Sequence, residues 1–177
     1  MVNLRPVAFV TAVFTVVCFV LSGLTVFAQP DVSASCAALM VAETGELIYG
    51  KNEHDRRSMA STTKIMTSLL AIEALTPQRK ITVSADMLNV EGTSMGLLPG
   101  DTVTLEGLVY GMLLQSGNDA ANVTAITLGG NVENFVSMMN KRAGEIGMND
   151  THFETPSGLD SKEHYSCLLY TSDAADE

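Results

Sequence analysis

The 177-residue chain has room for one ordinary domain, and a hydrophobic content of 46% is enough to give that domain a core. Twenty acidic residues against ten basic ones leave a net charge of −10, which argues against nucleic acid as a partner and against peripheral binding to anionic lipid. The three cysteines, Cys18, Cys36 and Cys167, are too few and too scattered for a disulfide framework.

Met1 to Arg5 holds a single positive charge, Val7 to Ala28 is uncharged and mostly apolar, and the run ends Val26-Phe27-Ala28 before Gln29. That is the layout of a secretory signal peptide over residues 1–28, and its removal would make the chain one unit more negative. An uncleaved membrane anchor is the alternative, since the run is long enough to span a bilayer. Cys36 lies too far from the apolar run for a lipidation site and reads as a buried strand residue.

Ala37 to Ala42 and Glu46 to Gly50 are two short β-type runs around Glu43-Thr44-Gly45, a hairpin signal. Lys51 to Arg57 is a polar connection in which His54 reads as a solvated loop histidine. Ser61 to Leu75 then reads as a helix apolar on nearly every side (Ile65, Met66, Leu69, Ile72, Leu75), a pattern that predicts burial all round, and Pro77 stops it.

The first turn of this helix carries Ser61 and Lys64, three residues apart and so on one face. A serine hydroxyl attacks a carbonyl well only when a base takes its proton. A lysine can do this when desolvation keeps it neutral, and the positive end of the helix dipole favours the charge that develops. The pair fits a nucleophile and its general base, although Ser-x-x-Lys alone is a weak signal and a lysine at a helix start is often just a surface residue.

Further on, Lys80 to Val83 is a short extended run and Asn89 to Gly100 is loop-like. Thr104 caps a second helix from Leu105 to Gln115, which breaks at Ser116-Gly117-Asn118 and restarts at Asp119. Asn131 caps the last clear helix, periodic through Val132, Phe135, Met139, Ala143 and Ile146 until Gly147. The Ser-x-Asn break could be only a polar connection between helices. It is the one Ser-x-Asn of the chain, as Ser61 to Lys64 is the one Ser-x-x-Lys, and the two stand in the order seen in acyl-serine enzymes of the penicillin-binding and β-lactamase group.

From Ala37 to Tyr165 the chain resembles the serine D-Ala-D-Ala carboxypeptidases, the low-molecular-weight penicillin-binding proteins. The resemblance is carried by Ala42-Glu-Thr-Gly45, Met59-Ala-Ser-Thr-Thr-Lys-Ile-Met-Thr67, Glu91-Gly-Thr-Ser-Met-Gly-Leu97, Pro99-Gly-Asp101, Leu114-Gln-Ser-Gly-Asn-Asp-Ala-Ala121 and Thr151-His-Phe-Glu-Thr-Pro-Ser-Gly-Leu-Asp160. It implies an α+β, β-lactamase/transpeptidase-like fold: an antiparallel sheet flanked by helices, with an inserted helical region that carries the Ser-x-Asn turn. It also implies an exported, extracytoplasmic bacterial enzyme that removes the terminal D-alanine from peptidoglycan stem peptides and is acylated by β-lactam antibiotics. Ser61 would be the acylated nucleophile, Lys64 its base and Ser116 the proton relay to the leaving D-alanine. Asn118 would orient Lys64 and bind the substrate's amide carbonyl. No metal or other cofactor is implied, none of the histidines has a place in the mechanism, and Thr155-Pro-Ser-Gly158 reads as scaffold.

One departure stands out: the Lys-Thr-Gly of the family's third motif occurs nowhere in this sequence. In the family that strand binds the substrate carboxylate and lines one wall of the site, and losing even one oxyanion donor costs roughly 100 to 1000-fold in rate. The expectation is therefore an N-terminal part of a catalytic domain over residues 29–166, with C-terminal sheet strands missing and no competent activity as written. Membrane association would come from a missing C-terminal segment or an uncleaved N-terminus. Cys167 to Glu177 does not continue the family pattern and resembles translated sequencing adapter, with a natural acidic terminus as the alternative. The other functional readings are a β-lactamase or D,D-endopeptidase of the same clan, and a catalytically dead protein that binds wall peptide.

Overall fold

The computed structural model describes residues 30–159 and 163–167, so the expected signal peptide and residues 168–177 of the tail lie outside the described part. Two units divide the chain, 1–33 and 34–177. Residues 30–33 of the first contain no helix or strand. The described helices and strands belong to the second unit, and among them no helix is long and apolar enough to cross a membrane.

Strands β1 (Ala37–Met40) and β2 (Leu47–Lys51) form the expected antiparallel hairpin, with Leu39 opposite Tyr49 and a shift in register at Met40. Its turn closes because Gly45 takes a φ of 67° and donates its amide to the Val41 carbonyl. Cys36 lies in a bend just before β1, partly exposed, rather than buried within the strand, because the pairing begins only at Ala37. A 3-10 turn, Ala60–Thr62, leads into helix α1 (Thr63–Glu73), so the segment carrying Ser61 and Lys64 begins more tightly wound than its sequence suggests.

Strands β3 (Lys80–Thr82) and β4 (Thr102–Thr104) make a second antiparallel pair that the sequence reading recognised only in its first half. Three helices follow in close succession: α2 (Leu105–Gln115), α3 (Asn118–Gly129) and α4 (Val132–Glu145). Thr104 Oγ1 accepts from the Gly107 amide at 3.1 Å and Asn131 Oδ1 from the Asn134 amide at 2.7 Å, each satisfying a donor that a helix start leaves unpaired. Thr104→Ala is expected to lower the free energy of unfolding by about 1 kcal/mol in urea denaturation, with no change in the midpoint's probe dependence.

Helix α3 is the centre of the packing. Asn118 to Ala125 are all buried, and the small side chains of Ala120 and Ala121 let neighbouring helices approach. On one side Leu105, Leu108 and Met112 of α2 join Ile81 and Val83 in a core cluster; on the other, Met66 of α1 and Phe135 and Met139 of α4 close around Ala125 and Phe153. The start of α3 is therefore pinned in place by apolar packing on both flanks.

Helix α1 corrects the expectation of burial on every side. Lys64, Thr67, Ser68 and Ala71, at positions i, i+3, i+4 and i+7, are buried, while Ile65, Ile72 and Leu75 are 59%, 61% and 84% exposed. The polar stripe is the inward one because segment 155–158 meets it with backbone carbonyls: Pro156 O accepts from Thr67 Oγ1 at 2.6 Å and Ser157 O from Lys64 Nζ at 3.0 Å. Ile72 lines an open cavity with Leu75, Pro77 and, from α2, Leu105, Val109 and Tyr110.

Candidate active site

Ser61 sits in the 3-10 turn immediately ahead of α1, and Lys64 lies one turn on. Ser116 ends α2 in the left-handed conformation, φ 56° and ψ 32°, an orientation non-glycine residues rarely take, which turns its hydroxyl back toward α1. The result is a closed triangle. Lys64 Nζ lies 3.2 Å from Ser61 Oγ and 3.3 Å from Ser116 Oγ, and the two serine oxygens are 2.9 Å apart.

Lys64 is 1% exposed, and no carboxylate is among its hydrogen-bond or ion-pair partners. Burial lowers its pKa from the ordinary 10.5, because the charged form is stripped of water without an anion to replace it. Nζ donates to the Ser157 carbonyl, to Ser116 Oγ and to Ser61 Oγ, and Ser116 Oγ donates to Ser61 Oγ. The arrangement brings two hydroxyls and a desolvated amine within hydrogen-bonding distance of one another, the geometry that proton transfer between them requires.

Asn118 opens α3 and is 4% exposed. Its Nδ2 donates to the Glu91 carbonyl at 2.6 Å, so its side chain is engaged by loop 91–97 and Lys64 is not among its partners in this structure. The fit is tight: a Cβ on Gly92, which has a φ of +94°, would stand 2.5 Å from Asn118 Nδ2. The same loop donates from Thr93 Oγ1 to the Ser116 carbonyl at 2.6 Å and accepts the Asn118 amide on the Thr93 carbonyl at 2.7 Å.

Three contributors escaped the sequence reading. Ser157 takes part through its carbonyl, so Thr155-Pro-Ser-Gly158 is a wall of the site as well as scaffold. A Cβ on Gly158, which has a φ of +81°, would overlap the carbonyl oxygen of Ala60, the left-handed residue (φ 45°) just before Ser61. His164 is 1% exposed; its Nδ1 accepts from the Glu154 amide at 3.0 Å, so its Nε2 carries the proton and donates to Thr63 Oγ1 at 2.6 Å, between Ser61 and Lys64 in the chain. The strand-like pairs of Arg57 with Ser166 and His152 with Tyr165 bring His164 there. Asp119 is the third, with a carboxylate that faces loop 91–97. His54 is as expected, a loop residue whose side chain is 63% exposed.

Solved structures with the same fold lie close. The D-alanyl-D-alanine carboxypeptidase DacD from Francisella tularensis superposes with a TM-score of 0.80 and 35% identity, over 84% of this chain and 37% of that one. Penicillin binding protein 6B from Escherichia coli gives a TM-score of 0.80 at 32% identity, over 86% and 51%. Fold and serine-lysine geometry together define the penicillin-binding, transpeptidase-like class of α+β proteins. Within that class, the chain belongs to the D-alanyl-D-alanine carboxypeptidase family, whose model matches residues 24–173. Among curated relatives, D-alanyl-D-alanine carboxypeptidase DacF of Bacillus subtilis is 38% identical over 138 residues, 75% of this chain and 36% of that protein. The chain thus spans little more than a third of that relative's length.

Proposed function

We propose that this chain carries the acylation machinery of a serine D-Ala-D-Ala carboxypeptidase acting on peptidoglycan stem peptides outside the cytoplasmic membrane. The observation that supports this most is the triangle of Ser61, Lys64 and Ser116, every side within hydrogen-bonding distance. Neutral Lys64 takes the Ser61 proton as Ser61 Oγ adds to the carbonyl carbon between the two D-alanines. The peptide C–N bond then breaks as Ser116 hands a proton to the departing D-alanine nitrogen. Water adds to the ester left on Ser61, and the shortened peptide leaves with the serine proton restored. Asn118, at the mouth of the same turn, is the candidate for holding the substrate's amide.

A β-lactam presents a strained amide to the same nucleophile and would remain on Ser61 as an ester. Incubating the expressed protein with a fluorescent penicillin and mapping the label by peptide mass is expected to place it on the peptide containing Ser61, slowly because the sequence has no Lys-Thr-Gly to hold the ligand's carboxylate, and Ser61→Ala to lose it. A label that persists in Ser61→Ala would sink the proposal.

A further inference from the structure

We propose that Asp119 is a positioning residue for this acyl-serine chemistry, fastening loop 91–97 so that the loop in turn fixes Ser116 and Asn118. The inference rests on the reading of the site given above.

Asp119 is 5% exposed and accepts five hydrogen bonds. Oδ1 takes the amides of Met95 and Ala120, both at 2.9 Å. Oδ2 takes Ser94 Oγ at 2.6 Å and the amides of Gly96 at 3.1 Å and Leu97 at 3.0 Å. Three successive backbone amides converging on one carboxylate form a nest of the kind that binds anions, here filled by a side chain of the protein itself. Burial alone would raise the carboxyl pKa, but the bonds from Ser94, Met95, Leu97 and Ala120 outweigh it and hold the group below its ordinary value.

The other half of the loop faces the chemistry. Thr93 and Glu91 make three bonds of 2.6 to 2.7 Å to Ser116 and Asn118, two of them through loop carbonyls. The Ser116 carbonyl they restrain belongs to a left-handed residue, whose backbone needs external support. Asp119 therefore holds the loop at one end and the loop holds the relay at the other. Asparagine at 119 keeps the shape but presents an NH2 group where two or three donors already point, so the nest opens.

The test measures coupling and chemistry separately. In Asp119→Asn, amide hydrogen exchange by NMR is expected to accelerate at Met95 to Leu97 and at Asn118, while Phe135 and Met139 of α4 stay protected. Fluorescent penicillin labelling of Ser61 is expected to slow by about 10 to 100-fold, with a displaced midpoint in its pH dependence, as for a misplaced catalytic group. Ser94→Ala, which removes one of the five bonds, moves both readouts the same way by less. Asp101→Asn, at a carboxylate that bonds the Leu98 amide in the same region, leaves both unchanged. Unchanged exchange at Asn118 overturns the proposal, as does slower labelling with faster exchange throughout α4, which would mean general destabilisation. If the wild-type protein takes no label, the acyl-serine reading fails, and the Asn118 exchange still decides whether Asp119 holds the turn.

Discussion

Lys64→Met is expected to cut the rate of Ser61 labelling by a β-lactam by about 100 to 10,000-fold, the range that a general base contributes, while the protein stays folded. Methionine fills nearly the volume of the lysine stem, so the buried stripe of α1 keeps its packing. Two opposing effects act on stability. Losing a desolvated amine is favourable, and leaving the Ser157 carbonyl without its donor is unfavourable. The melting temperature at neutral pH is accordingly expected to move by only a few degrees. The pH dependence is sharper. Labelling of the wild type rises with pH as Lys64 loses its proton, along a limb whose midpoint lies below 10.5. The unfolded chain holds that proton more tightly than the folded one, so the wild type gains stability relative to Lys64→Met as pH climbs from the lowered folded-state pKa to 10.5. A labelling rate in Lys64→Met equal to wild type would remove Lys64 from the role of base.

Gly158→Ala should damage the site almost as severely by moving backbone alone. At a φ of +81° an alanine is disfavoured by roughly 1–2 kcal/mol. Its methyl group would also overlap the Ala60 carbonyl, which cannot swing aside as a flexible side chain would. Either segment 155–158 retreats, taking the Ser157 carbonyl from Lys64, or the turn at Ala60 moves and carries Ser61 with it. Displacement of about 1 Å is enough to cost around 100-fold in rate, so labelling should fall at least that far, with a lower melting temperature. Gly144→Ala supplies the contrast: it lies within α4 with open space at its Cβ, and should be neutral or stabilising by up to about 1 kcal/mol with normal labelling. Wild-type labelling in Gly158→Ala would show that the 155–158 wall does not set the position of Ser61.

What the sequence made readable follows from where the physics is local. Ser61 and Lys64 meet because three residues on a helical path return to one face. Thr104 and Asn131 announce helix starts because their side chains cap amides only three residues away. The contributions that stayed hidden are made by backbone or by distant chain. Ser157 acts through a carbonyl, for which every residue type is equivalent, and His164 reaches Thr63 across 101 positions. Asp119 stands in the first turn of a helix, where the dipole alone would account for an acid. Strand β4 is three residues long and runs directly into a helix cap, too brief for alternation to register. The mixed burial of α1, with Lys64, Thr67 and Ser68 buried alongside Met66 and Ala71, has the same origin. Periodicity counts apolar side chains, whereas the carbonyls of Pro156 and Ser157 decided which face turned inward.

Ala60 and Ser116 share one trait, a left-handed backbone without the glycine that would make it easy; the first directly precedes Ser61 and the second carries the hydroxyl that bonds to it. Someone engineering a hardier version of this protein would find the two positions unequal. At 60 only a backbone shape is required, and glycine could supply it with relief of strain. At 116 the same exchange would delete the hydroxyl proposed as the proton relay. The pair marks a boundary between stability that redesign can recover and stability that the reaction withholds.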